Sequence, residues 1–204
     1  MKLPEERNYT PAPAGAHPAI CIGFIDMGTQ ETMYGNKRQI RIRWELPTEQ
    51  MQDGRPFTIS QTYTWSMSSK SRLRGDLESW RGKPFEKSDF GKEGFDTKRL
   101  VGVPCLLNII HKASGSEVYA NISSISPIPK GMEKPTAHRN PLVYFSLDAD
   151  EYDLGMKAIL DELPEKMKGA IKESPEYIAI ASGRKPDQEL ADFTNHDLDD
   201  EIPF

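Results

Sequence analysis

Two groups of residues have types and spacing that suit chemistry. One is the run Asp197-Leu198-Asp199-Asp200-Glu201-Ile202-Pro203-Phe204. Solubility accounts for an acidic run, but not for the three apolar residues that follow it. Ile202 and Phe204 can fill a small hydrophobic pocket on a partner. Asp199, Asp200, Glu201 and the terminal carboxylate can then pair with lysine and arginine around it, so that Asp199 to Phe204, Pro203 included, is read as a peptide. The other group mixes cations with aromatic rings: Lys37, Arg38, Arg41 and Arg43, then Tyr63 and Trp65, then Lys70, Arg72 and Arg74, with Tyr34 before them and Lys112 after. Cations that follow phosphates, together with ring faces that stack bases at roughly 1–3 kcal/mol each, are the chemistry of single-strand binding.

Catalytic patterns are scarce. The chain has no Gly-x-x-x-x-Gly-Lys-[Ser/Thr] phosphate loop, no Gly-x-Ser-x-Gly and no His-Glu-x-x-His. Asp148-Ala149-Asp150-Glu151-Tyr152-Asp153 has the carboxylates of a divalent-cation site, as in a nuclease, but at a helix start these acids suit the positive end of the helix dipole. Cys21 and Cys105 sit far apart in apolar surroundings and are expected as buried free thiols. His17, His111, His138 and His196 are scattered, without zinc spacing. Neither a catalytic residue nor a cofactor is expected.

The net charge of −5 argues at first against nucleic acid, but it is unevenly distributed. Residues 1–134 hold 19 Lys and Arg against 15 Asp and Glu, a net of +4, whereas residues 135–204 hold 7 against 16. The segment from Pro186 to Phe204 contains seven acids and no Lys or Arg. A mildly basic body with an acidic tail suggests a partner or a self-interaction. No apolar run approaches the roughly 18–20 residues of a membrane span, and the first residues lack a signal-peptide pattern, so an intracellular protein without a membrane partner is expected.

These residues need elements to hold them. Pro4, Pro11, Pro13 and Gly15 make residues 1–16 an N-terminal arm. His17 to Asp26 is dense in β-branched residues and reads as a strand buried on much of both faces, followed by a loop from Met27 to Asn36. From Lys37 to Leu46 the alternation is clean: Ile40, Ile42, Trp44 and Leu46 face one way, and Gln39, Arg41, Arg43 and Glu45 the other. After the Asp53-Gly54 turn, Phe57 to Trp65 alternates again. Tyr63 and Trp65 share parity with Phe57 and Ile59, so they are either core or, if the face turns outward, stacking rings. Trp44 and Trp80 accompany core positions. Ser68 and Ser69 are candidate caps for a helix carrying Leu73, Leu77 and Trp80, which Gly82 stops. Val103 to His111 and Glu117 to Ile125 are two more strands.

Strand, strand, strand, helix, strand, strand is the element order of a five-stranded OB-like Greek-key barrel, expected over residues 17–134. Residues 135–182 are expected as an extension packed on the barrel: a strand pattern from Pro141 to Leu147, then helices carrying Leu154, Ile159, Leu160, Leu163, Met167 and Ile171. Residues 183–204 have the composition of a disordered acidic tail.

The closing residues resemble the acidic tip of bacterial single-stranded DNA-binding proteins, an Asp-rich run ending in Ile-Pro-Phe. Gly28-Thr29-Gln30, Trp44-Glu45-Leu46, Phe145-Ser146-Leu147-Asp148 and Ser174-Pro175-Glu176-Tyr177 are similar to segments of tailed-phage single-stranded DNA-binding proteins. The resemblance implies a non-enzymatic protein of phage DNA replication and recombination, acting in the bacterial host cytoplasm. It also implies that Asp199 to Phe204 recruit replication and recombination proteins and compete with DNA for the basic groove. An adaptor that acts through the tail alone is the alternative. Oligomeric state is not written in the sequence.

Overall fold

The computed structural model describes residues 10–90, 95–115 and 117–183. Among them are β1 (Gly15–Thr32), β2 (Gly35–Gln50), β3 (Pro56–Thr64), α1 (Arg72–Arg81), β4 (Pro104–Ser114), β5 (Glu117–Ser126) and β6 (Val143–Phe145). Three helices follow: α2 (Leu154–Glu162), α3 (Glu165–Lys172) and α4 (Pro175–Ala181). The strands form one mainly antiparallel sheet in the order β3-β2-β1-β4-β5, and β6 pairs parallel with β1. No ladder joins β3 to β5, so the sheet is unclosed. No helix among the described residues is long and apolar enough to cross a membrane.

β1 organises everything else. Its run of apolar and β-branched residues buries both faces, so the strand needs cover on each. On the inner face, Cys21 and Phe24 join a core with Ile40, Ile42, Trp44, Leu46, Leu77, Trp80 and Leu107. On the outer face, Ile25 and Met27 join a second core made by Phe145, Leu147, Leu160, Leu163, Met167 and Ile171. The strand also changes neighbours along one edge, where Gly15–Ile20 pairs with β4 and Gly23–Ile25 with β6. Register shifts between Cys21 and Gly23 and between Asp26 and Gly28 accompany the change.

Three local expectations are corrected. The stretch from Met27 to Asn36 is not a loop: β1 runs on to Thr32, its Thr29–Thr32 pairing with Gly35–Arg38, and only Met33 and Tyr34 turn the chain. Gly28, at φ 68°, makes the bulge that permits this, and a side chain there would collide with Ser174 at the start of α4. The cap of α1 is Ser71, whose hydroxyl accepts from Arg74 N, and neither Ser68 nor Ser69 caps the helix. Leu154 is exposed, because as the first residue of α2 after the Asp153 cap it lies off the packed side, which is formed by Met156, Ile159 and Leu160.

α1 crosses the gap between β3 and β5. Its side chains donate to strand carbonyls: Arg72 Nη2 to Ile122 O at 3.2 Å, Ser79 Oγ to Ile125 O, and Trp80 Nε1 to Pro104 O at 3.1 Å. Cys21 and Cys105 are buried free thiols, and burial pushes Cys21 up to about 12. If the outer core holds the helices on β1, truncating Ile171 to Ala should cost about 2–5 kcal/mol in urea unfolding. A change under 0.5 kcal/mol would show that the helices contribute little.

Candidate nucleic-acid interface

The geometry of the interface follows from β2. Burial of Ile40, Ile42, Trp44 and Leu46 fixes the opposite parity outward. Arg41 and Arg43 therefore stand side by side on the outer face, across from Thr62 and Ser60 of β3. Arg41 Nε donates to Thr62 Oγ1 at 3.1 Å. Arg43 lies along Gly23 of β1, where an added Cβ would sit 3.4 Å from Arg43 Cβ, so the missing side chain leaves room for the arginine stem. Burial, and then the charge of Arg41, hold Arg43 below its ordinary value. Among the described residues Lys37, Arg41 and Arg43 make no ion pair. An anion laid along this face would relieve the repulsion between the two arginines.

The strip runs between two pieces of chain. At one end Glu45, also on the outer face, is buried to 1%. Its carboxylate accepts from Arg139 N at 2.9 Å, Asn140 N at 2.8 Å and Asn140 Nδ2 at 2.6 Å. The segment between β5 and β6 is thereby pinned across the strand, and Arg139 reaches Gly54 O in the β2–β3 turn. At the other end the β1–β2 hairpin carries Met33 and Tyr34 at its tip, 87% and 80% exposed. Thr32 Oγ1 donates to Gly35 O at 2.7 Å and accepts from Tyr34 N at 3.1 Å, so the turn is ordered before any ligand arrives.

The other candidates do not join one surface. Tyr63 is 3% exposed, with its ring in the inner core and its hydroxyl donated to Asp76 Oδ2 at 2.8 Å; the core alternative is the one adopted. Trp65, past the last strand residue, is 38% exposed and meets Phe24 edge-on at 5.8 Å. Arg38 has inward parity and binds Asp26. Arg74 is occupied by Glu78, Met67 O and Phe85 O, and Arg72 by Asp76 and Ile122 O. Lys70 and Lys112 are exposed, on the turn before α1 and on β4 opposite Tyr119. Asp199, Asp200, Glu201, Ile202, Pro203 and Phe204 lie outside the described residues. Sequence reasoning missed Met33, Arg139 and the pinning role of Glu45. For Met33, a large apolar residue beside Tyr34-Gly35 was the available signal, whereas nothing local linked Glu45 to residues almost a hundred positions away.

Asp26 accounts for the diversion of Arg38. Its carboxylate accepts from Arg38 Nη2, from Gly28 N at 2.9 Å and from Leu147 N at 3.2 Å, tying the β1 bulge, β2 and the chain after β6 together. Breaking this pair by Asp26→Asn should destabilise the protein by about 3 kcal/mol, because a charge is left without its partner. Adding Arg38→Met should recover part of the loss in the same urea titration. Equal stability of Asp26→Asn and the parent would mean that the pair does not hold the bulge.

The chain matches no protein-family model, and the search of curated proteins finds no match either.

Proposed function

We propose that this chain is a non-enzymatic single-stranded DNA-binding protein that holds strands on the outer face of β2 and β3 with little sequence preference. The observation that carries this reading is the pair Arg41 and Arg43, adjacent, outward and free of carboxylate partners among the described residues. Lys37 extends the strip toward Tyr34, whose exposed ring on a pre-ordered turn is suited to stack a base. The hydroxyl-bearing residues Ser60 and Thr62 beside the arginines can donate to phosphate without discriminating between bases. An OB-like barrel is the fold we infer, supported by the strand order and by α1 lying between β3 and β4 in sequence and across the β3–β5 gap in space. By resemblance, the protein serves phage DNA replication and recombination in the bacterial host cytoplasm. Asp199 to Phe204 then recruit partner proteins.

The reading is tested with a fluorescently labelled oligo(dT) strand titrated at several salt concentrations. Binding should exceed that of a duplex of equal length, and Arg41→Ala with Arg43→Ala should reduce the magnitude of the log K against log salt slope by roughly 1.4. Deleting residues 186–204, which carry seven acids and no cation, should tighten binding. Absence of single-strand binding at low salt, with or without those residues, would overturn the proposal and leave an adaptor acting through its acidic segment.

A further inference from the structure

A cleft of about 760 Å3 opens at one end of the unclosed sheet, on the inner side and away from the arginine strip. Its size falls within the range of ligand-binding cavities, and mouths of β-barrels are a common place for them. One wall is aromatic. Phe24 stacks on Tyr144 with centroids 6.0 Å apart and 18° between planes, and Trp65 meets Phe24 edge-on, leaving part of its ring in the cleft.

Among the described residues the charges lining this wall do not balance. Each lining arginine already has its own carboxylate: Arg38 with Asp26, Arg81 with Asp89 at 2.9 Å, and Arg99 with Asp96 at 3.2 Å. Asp148 and Glu151 remain in excess on the lining. Asp148 makes no ion pair with a described residue, and Glu151 pairs with Lys98 at 3.3 Å on the rim while its other oxygen accepts from the Tyr144 hydroxyl at 3.3 Å. The ammonium of Lys98 also sits 5.1 Å from the centroid of the Tyr144 ring. The chain thus already sets a cation of its own over a ring of this wall. At the floor, burial works against the charge of Arg38, yet the carboxylates of Asp26, Glu176 and Asp148 outweigh it and hold the arginine above its ordinary value. A phosphate entering here would meet net negative charge, whereas a guanidinium would gain both ring faces and carboxylates.

We propose that this cleft docks a basic segment of a partner protein, with an arginine side chain entering against Trp65 and Tyr144 and its guanidinium directed to Asp148 and Glu151. Arginine suits the site better than lysine because its planar cation stacks on rings while its edge pairs with carboxylates. The cleft volume exceeds that of one side chain, so residues flanking the arginine are accommodated too. This inference does not rest on the nucleic-acid reading. The two surfaces require opposite charge in their ligands, and a strand on the outer strip leaves the cleft free.

Intrinsic fluorescence supplies the test, because Trp44 and Trp80 are buried and Trp65 is the half-exposed one of the three tryptophans. The full chain is titrated with acetyl-(Gly-Arg)3-amide and with the same peptide carrying citrulline, a neutral urea, in place of arginine. The arginine peptide should change Trp65 emission saturably and the citrulline peptide should not. Asp148→Asn with Glu151→Gln should weaken the arginine peptide roughly tenfold. Glu162→Gln with Glu173→Gln removes the same charge from exposed helix positions and should change affinity less than twofold. Because Asp148 is exposed and Glu151 half-buried, the double variant is expected to keep the parental melting temperature. Equal binding of the two peptides, equal weakening by both double variants, or spermidine binding as tightly as the peptide would each overturn the proposal. Quenching of Trp65 by oligo(dT) but not by the arginine peptide would do so as well, by making the cleft a nucleic-acid site.

Discussion

One strand that is apolar on both faces sets the terms for the whole molecule. β1 cannot be half of a two-layer arrangement with one face in water, because Cys21 and Phe24 point one way and Ile25 and Met27 the other. The rest of the sheet curls over the first pair. The second pair is covered from far along the chain, by β6 and the three helices. Burial of carboxylates makes this second cover specific. Glu176 of α4 accepts from Thr29 N at 2.8 Å and Thr29 Oγ1 at 2.6 Å, and Gln30 donates to Ala170 O at 3.0 Å, so the helices are pinned at one register on β1. Apolar contact alone would allow sliding, whereas a buried carboxylate displaced from its N–H donors would be left uncompensated.

The same economy of polar groups governs the surfaces. Asp26, Glu45 and Glu176 each accept hydrogen bonds from backbone N–H groups distant in sequence, and each ties a different later segment to β1 or β2. Three acids are spent on these ties, while Arg41 and Arg43 on the outer face of β2 make no ion pair among the described residues. The separation of charge along the sequence is thus repeated within the folded body, as a basic outer face and a cleft with carboxylates in excess.

Much of this was legible from period alone. The alternation from Ile40 to Leu46 determines which side Arg41 and Arg43 occupy, and Leu73, Leu77 and Trp80 at helical spacing identify the buried side of α1. Less legible were features that depend on partners distant in sequence. Nothing in Gly28-Thr29-Gln30 reveals that the strand continues, because its polar residues are satisfied by α3 and α4 about 140 positions later. Tyr63 and Trp65 show how parity fails at a strand end: both have inward parity, yet the core covers the first and stops before the second. Arg38 belongs by type to the candidate cations, yet its parity matches that of Ile40, and Asp26 supplies the partner that makes the inward position tolerable.

The hydrogen bonds from α1 to β5 have a bearing on how the protein survives at high concentration. An unclosed sheet presents strand edges, and an edge with free carbonyls is a template for another chain. Arg72 and Ser79 occupy Ile122 O and Ile125 O from the side, so one short helix serves as a guard over the seam. Fraying of α1 would therefore expose strand edge and core together. Such an opening would uncover a route to chain-to-chain β-pairing, so the ten residues of α1 protect an edge that the sheet itself leaves open.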